Sequence, residues 1–453
     1  MFTVDRSLPS PLPVQIAAGM RGLVSTGQLS AGDTVASTRE LARQLGVSRG
    51  TVVSAYDQLL SEGFLLATQG APTRVHPDLA RAPSPGPAAH SPRPRARSGR
   101  VVSLKPASGH AGTIRPAAWR RAWREAAVEP ATRVDKAGQP ELRTAIASHL
   151  LLARGLAVDA GDVVVTGGSR EGLLLILMSL GRSLRVGVED PGHPGLRRVI
   201  PVAGHTPVTC RTDAGGLVVS DLPADLDALL VTPSHLYPLG GSMPASRRAE
   251  LLDWAARTGC VLIEDDFNTE LRYRVSPQPT LATLASEARV LTLGTFSTLL
   301  STQLSAGYVV AGQAMAATLR GTREVLGMPV SPVTQRAIAN LLDGGYVRRN
   351  TRAVHSRLAR RREVLGDAIC PALEALGANA IEKDASTGVD LAVRFPTPAA
   401  EERVVDWLAA RGIECGKIGA SESGGLIMSF AHLDDDDFER VRNEFSSVST
   451  HRS

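Results

Sequence analysis

Two different apolar rhythms divide this chain. Up to about residue 63 the apolar positions recur every three or four residues. Ile16, Met20, Leu23 and Val24 do so in "PVQIAAGMRGLVSTG", which Gly27 closes, and Val52, Tyr56, Leu59 and Leu60 do so in "VSRGTVVSAYDQLLSEG". Such spacing lines one face of a helix, so two amphipathic helices are predicted. Between them "STRELARQLG" opens on hydroxyl caps and ends on Gly46, while Ser48 caps the next helix and Gly63 stops it. Two short strands, "FLLAT" and "TRVHP", are predicted to flank a Gln69-Gly70 turn.

The rhythm is lost over 77–100, "PDLARAPSPGPAAHSPRPRARSGR", a Pro-, Ala- and Arg-rich stretch that reads as a stiffened linker. Its arginines suit a solvated spacer or a phosphate backbone. Further on, near-continuous apolar runs alternate with helical segments: "DVVVTGG", "RVGVED", "ALLVTP", "CVLIEDD", "RVLTLGTF" and "LSAGYVVAG" read as strands, "SREGLLLILMSLG" and "SRRAELLDWAARTG" as helices. That alternation predicts a buried, mostly parallel sheet. Sheets of this kind bind ligands at the carboxyl ends of their strands. Gly167-Gly168-Ser169, Asp265 and the loop "GTFSTLLS" (294–301) all fall at predicted strand ends and form a candidate pocket.

Composition narrows the classes. A chain of 453 residues, 43% hydrophobic, has room for two or three domains and a large core. No apolar run reaches the roughly 18 residues needed to span a bilayer, and "MFTVDRSLPS" lacks the form of a secretory signal. A cytoplasmic protein with no membrane partner is expected. Cys210, Cys260, Cys370 and Cys415 lie far apart without metal-ligand spacing, so no metal site is expected. Lysines are scarce: Lys105, Lys136, Lys383 and Lys417 are all of them, and amine chemistry has no other side chain to use.

Two short helices joined by a tight turn and followed by a β-wing follow the plan of a winged helix-turn-helix, whose second helix enters the major groove of double-stranded DNA. Arg49, in its first turn, can reach a guanine edge or a phosphate, and Arg39 a phosphate from the helix before. The plainer reading leaves both arginines solvated. The stretch from Pro11 to Gly63 also resembles the DNA-binding domain of GntR-type bacterial repressors. It departs at "VASTR", where that family has Leu-Pro-Ser, and at "GAPTRV" in the wing. The resemblance implies operator contacts by Arg39, Ser48, Arg49 and Thr51, and by Gly70, Thr73 and Arg74 of the wing.

"EDPGHPGLRRVI", "VTPSHLYPLGGSMPASRRAELLDWA", "IEDDFNTELRYRV" and "LTLGTFSTLLSTQLSAGYVV" resemble the MocR/GabR regulators, in which a GntR-type winged helix is fused to an aminotransferase-like body. The resemblance implies a winged domain over 1–76, a linker over 77–102, a fold-type-I α/β large domain with a mostly parallel sheet over 103–330, and a smaller α+β domain over 331–453. It further implies a homodimer and a pyridoxal phosphate pocket. Gly168 and Ser169 match the loop and helix N-terminus that hold the cofactor phosphate, as free N–H groups and the helix dipole favour. Asp265 matches the carboxylate that pairs with the pyridine nitrogen. His193 and Tyr237 stand where ring-contacting residues are found.

The rest of that pocket is changed. The Schiff-base lysine falls on Thr298, the phosphate-clamping arginine on Ser305, the tyrosine at the phenolic oxygen on Phe267, the tyrosine of the preceding loop on Arg133, and the carboxylate-gripping arginine on His432. Losing a bidentate arginine removes roughly 1.5–3 kcal/mol, and losing the imine removes the covalent anchor. A transcription regulator without covalent pyridoxal phosphate is therefore expected, its pocket open to a different small molecule. Two alternatives stay open: an active enzyme with Lys136 as substitute amine, and a body that only dimerises. A buried unpaired Asp265 is costly, and Arg133 or His432 is the expected compensation.

Overall fold

The computed structural model describes residues 2–68, 71–79, 101–106, 114–129, 135–237, 241–267, 269–271, 278–376, 390–418 and 425–449. The chain divides into two compact units, Met1–Ser98 and Gly99–Ser453.

The first unit has α1 (Leu12–Ser25), α2 (Thr38–Leu45), α3 (Arg49–Ser61) and an antiparallel pair, β1 (Leu65–Leu66) and β2 (Arg74–Val75). Its boundaries follow local chemistry. The Ser37 and Ser48 side chains accept from the N–H groups of Glu40 and Thr51, and Gly46 ends α2 at φ 61°. Ile16, Ala17 and Met20 of α1 pack with Val52, Ala55, Tyr56 and Leu59 of α3, and Leu65 and Val75 close the core. The wing is pinned from below: Val35 N–H donates to the Thr73 carbonyl (3.0 Å) and Val75 N–H to that of Asp33 (2.8 Å).

In the second unit the described elements run β3 (Val102–Leu104), α4 (Pro116–Ala126), α5 (Pro140–Arg154), β4 (Val163–Thr166), α6 (Ser169–Leu180), β5 (Arg185–Asp190), α7 (Pro194–Arg197), α8 (Val199–Val202), β6 (Thr206–Asp213), β7 (Gly216–Leu217) and β8 (Ala228–Val231). Then come α9 (Ala245–Thr258), β9 (Val261–Asp265), α10 (Leu281–Leu284), β10 (Val290–Thr295), β11 (Gly307–Val310), α11 (Gln313–Leu326), α12 (Pro332–Asp343) and α13 (Tyr346–Ala375). The end of the chain adds β12 (Asp390–Arg394), α14 (Pro398–Ala410), β13 (Ile413–Lys417), β14 (Gly425–Ser429) and α15 (Asp435–Ser449).

Eight strands form one sheet in the order β4-β11-β10-β9-β8-β5-β6-β7. The run from β10 through β6 is parallel, while β11 lies antiparallel between β4 and β10. Every predicted strand of this sheet is present, and β6 and β7 extend it. The carboxyl ends of β4, β5, β8, β9 and β10 therefore share one edge. A second sheet, β12-β14-β13-β3, carries the smaller subdomain.

Two boundaries differ from expectation. The linker expected over 77–102 stops short of Val102, because Val102–Leu104 pairs in parallel with β13, in register Val102 to Ile413. The chain thus enters the body as an edge strand of the small sheet. The predicted small domain opens at 331, but α12 packs on α4 and α5, beside the large sheet.

Candidate functional site

The caps position the residues expected to face DNA. The Ser48 hydroxyl accepts from Thr51 N–H (3.1 Å) and shares a 2.8 Å hydrogen bond with the Thr51 hydroxyl, so both hydroxyls are engaged in holding the first turn of α3. Arg49 stands exposed beside them, its Nε donating to Thr38 Oγ1 at 3.4 Å. Arg39 is exposed on α2. In the wing, Arg74 is exposed and donates weakly to the Gly32 carbonyl (3.4 Å), and Thr73 is half-buried; Gly70 lies outside the described residues.

The body's site is built at the carboxyl edge of the large sheet. Register places Thr166 of β4 opposite Gly307, Gly307 opposite Thr295, and Leu293 opposite Asp265. The backbone is crowded here: a Cβ on Gly307 would lie 2.5 Å from the Gly294 carbonyl oxygen and 3.0 Å from the Gly168 Cα. Glycine at 307 thus lets β11 fit between Gly294 of β10 and the Gly168 turn before α6. Gly168 takes φ 94°, which an L side chain adopts only with strain, and leads into Ser169, the first residue of α6. The turn before it is tied down, with Gly167 N–H donating to Glu171 (2.8 Å) and Arg323 paired with Glu171 (2.7 Å).

The loop itself holds Thr295 and Ser297 in a 2.5 Å hydroxyl pair, with Thr298 half-buried at its turn. Thr298 offers a hydroxyl and no amine. Ser305 ends the loop exposed, in the left-handed conformation at φ 44°. Lysines stand elsewhere: Lys105 pairs with Glu414, Lys417 with Glu401, and Lys136 with Glu324, while Lys383 lies outside the described residues.

Asp265, the last residue of β9, is buried, and its Oδ1 has no hydrogen-bond partner among the described residues. Burial, then the charges of Asp266, Glu189 and Glu264, push its carboxyl well above the usual range. Sequence reasoning missed this cluster of acids, although "IEDD" displays three adjacent carboxylates. Burial lifts Glu264 to about 8 and Glu189 to about 7. Glu189 accepts the Thr232 hydroxyl (2.5 Å) and N–H (3.2 Å).

Aromatic side chains gather nearby. The His193 ring lies 5.1 Å from Tyr237 and 5.8 Å from Phe267, and His235 lies 6.2 Å from Phe267. His193 Nδ1 accepts from the N–H groups of Gly195 and Leu196, and burial followed by the Arg170 charge pushes its pKa down to about 4. A neutral, aromatic wall results. It faces Ala392, Ile418 and Ile427 of the small subdomain through Tyr237.

One expectation meets a correction here. His432 is not the counter-charge of Asp265: its Nε2 donates to the Ser103 carbonyl at 2.8 Å, and burial lowers its pKa. It anchors β3 instead. Arg133, the other expected compensator, lies outside the described residues. The buried arginine that does reach this strand end is Arg154 of α5, and it bonds Asp266.

Comparison with known proteins fits both units. Residues 12–75 match the bacterial regulatory proteins of the gntR family, and residues 107–414 match aminotransferase class I and II. The chain is 39% identical over 445 residues to the HTH-type pyridoxine biosynthesis transcriptional regulator PdxR of Corynebacterium glutamicum, covering 97% of this chain and 96% of that one. It is 30% identical over 433 residues to the probable rhizopine catabolism regulatory protein MocR of Rhizobium meliloti, covering 91% and 87%. This chain is a MocR-type GntR regulator. It is a DNA-binding helix-turn-helix transcription regulator with an aminotransferase body, and its relatives of this type are regulators rather than enzymes. An archaeal alanine:glyoxylate aminotransferase shares the body fold at a TM-score of 0.70 and 18% identity, over 79% of this chain and 92% of that one.

A body of this class belongs to a pyridoxal phosphate fold family. The unpaired Oδ1 of Asp265 and the open turn at Gly168, where a Cβ would meet nothing within 4 Å, fit the ring nitrogen and the phosphate of such a group. Thr298 and Ser305 do not fit its covalent attachment or a guanidinium clamp.

Proposed function

We propose that this MocR-type regulator binds its operator as a homodimer and senses a small molecule held without a covalent bond in the aminotransferase-like pocket, in the cytoplasm of a bacterial cell. The observation that supports the reading is the 294–301 loop: it follows the carboxyl end of β10, beside the strand end of Asp265, and it carries Thr298 where an imine needs a lysine. A threonine hydroxyl cannot form a Schiff base, so transamination has neither its nucleophile nor its usual base. The body is a sensor and a dimerisation unit.

Arg39 and Arg49, with Arg74 in the wing, carry the DNA contact in this reading; Ser48 and Thr51 set the geometry of α3, and Gly70 and Thr73 shape the wing. Gly168, Ser169, His193, Tyr237, Asp265 and Phe267 form the ligand's surroundings, with Thr298, Ser305, Arg133 and His432 at the positions whose original chemistry is gone. The likeness to PdxR supports target genes of vitamin B6 synthesis.

A second reading is supported by Asp265 and the Gly168 turn. The pocket still takes pyridoxal phosphate itself, reversibly, as the effector. Selection of DNA from a random pool, followed by footprinting with and without pyridoxal phosphate, tests both. A defined site protected by a dimer supports the regulator. Protection that pyridoxal phosphate alters, reversibly on dialysis, favours the second reading over the first. Absence of any selected sequence contradicts both.

A further inference from the structure

A second cavity, of about 350 Å³, opens between α5, the 269–271 turn, the end of α12 and the first turns of α13. Its lining has three parts. The floor is a buried ion pair: His149 Nε2 lies 2.7 Å from Glu270 Oε1, with side-chain exposures of 10% and 14%, and His355 Nε2 donates to the Glu270 carbonyl at 2.6 Å. Burial alone lowers the pKa of His149, but the charge and hydrogen bond of Glu270 outweigh it and hold the imidazole above its ordinary value. The floor is thus neutral as a pair. An apolar side is supplied by Ala145, Leu152 and Leu342.

The third part is cationic. Arg348 and Arg352 stand one turn apart on the same face of α13, and neither side chain makes a hydrogen bond or ion pair among the described residues. Like charges at this spacing repel, and nothing described in the cavity neutralises them except Asp343, exposed at the end of α12. A concave site with an apolar side and a pair of uncommitted guanidiniums has the chemistry of a receptor for an amphiphilic acid. We propose that this cavity is a second effector site, which binds a small organic anion through Arg348 and Arg352 with its apolar part against Leu152 and Leu342.

The site is placed to act on the rest of the body. Glu270 follows Asp265 by five residues, and its charge is felt at Asp266. α13 runs on from this cavity to the small subdomain, where Arg361 bonds Asp435 (2.7 Å) and the Leu433 carbonyl. An anion pulling the first turns of α13 toward α5 therefore acts at once on the strand end of the pocket and on the small subdomain.

The test uses full-length protein and three probes by titration calorimetry: phenylacetate, its neutral counterpart 2-phenylethanol, and inorganic sulfate. Phenylacetate is expected to saturate one site per chain, with both others at least tenfold weaker, since the site needs charge and apolar surface together. Arg348→Ala and Arg352→Ala are each expected to weaken phenylacetate by roughly tenfold to a hundredfold, as for loss of a charge-assisted contact. Both variants should melt no lower than the parent, because each relieves a like-charge pair. Asp265→Asn is expected to leave one saturable phenylacetate site per chain, which separates this cavity from the pocket at the sheet edge. Absence of saturable phenylacetate binding overturns the proposal, and so does binding that survives both arginine variants or is lost in Asp265→Asn.

Discussion

Arg154 holds Asp266 through two hydrogen bonds, Nη2 to Oδ1 at 3.0 Å and Nε to Oδ2 at 3.1 Å, with both side chains buried. Asp265, one residue earlier and also buried, receives neither. The pairing explains how two adjacent carboxylates meet opposite fates at one strand end: one is held by a guanidinium, while the other keeps an Oδ1 without a partner among the described residues. Arg154→Ala strands the Asp266 charge in the interior and is expected to cost about 3–5 kcal/mol. Denaturant unfolding of the body measures it, and an unchanged midpoint contradicts the assignment.

Asp265→Asn is expected to stabilise the ligand-free protein. The Asp265 carboxyl is raised well above its usual range by burial and by neighbouring acids, so the folded state favours its neutral form. Stability from this group is full below the unfolded value and is lost as pH rises toward the folded one. The asparagine variant should therefore melt about 2–4 °C higher at pH 8 and equally at pH 4. It should also respond less to the pocket's ligand. Melting and ligand response both unaltered would show that Asp265 neither strains the empty pocket nor contacts its ligand.

Glu189 and Glu264 extend the effect to the whole pocket. Burial raises them to about 7 and about 8. Both raised groups stabilise the fold below the ordinary carboxylate range and lose that contribution as pH climbs through 7 and 8. Melting temperature should fall from about pH 5 to about pH 8 and level off above, and Glu264→Gln should flatten the upper part of that fall. A profile that rises over this range refutes the burial of these charges as the cause.

At the DNA surface, Arg49 and Ser48 separate affinity from stability. Arg49→Ala removes an exposed side chain and should weaken binding to a selected site by about 1–3 kcal/mol without lowering the melting temperature. Ser48→Ala removes the cap of α3 and should cost about 1 kcal/mol of winged-domain stability. Gel-shift titration and thermal melting read the two effects. If Arg49→Ala binds as tightly as the parent, the orientation of α3 toward DNA is wrong.

Local chemistry is readable in the sequence and distant pairing is not. Ser37, Gly46 and Ser48 announce the ends of α2 and α3 because a cap is a contact over three residues. The strand ends at Thr166, Asp265 and Thr295 follow from apolar runs that stop at polar residues. β6 escapes because only Cys210 of its residues is buried near the sheet edge, where no continuous apolar run marks a strand. β3 escapes because its partner, Ile413–Lys417, lies some 300 residues away. The same distance hides the bond of His432 to Ser103 and, over 112 residues, that of Arg154 to Asp266. Both are decided by burial, which no local pattern shows.

Thr298 decides whether the pocket can hold a covalent cofactor, and a single spectrum tests it. Purified protein is titrated with pyridoxal phosphate, its visible absorption recorded, and the complex reduced with borohydride before dialysis and peptide mapping. The expected spectrum is that of free or reversibly bound aldehyde, which dialysis removes, with no pyridoxyl peptide at stoichiometric yield. An imine band fixed by reduction onto one lysine, with Lys136 and Lys383 the first to be mapped, would contradict the loss of the Schiff base and restore a covalent cofactor to the pocket.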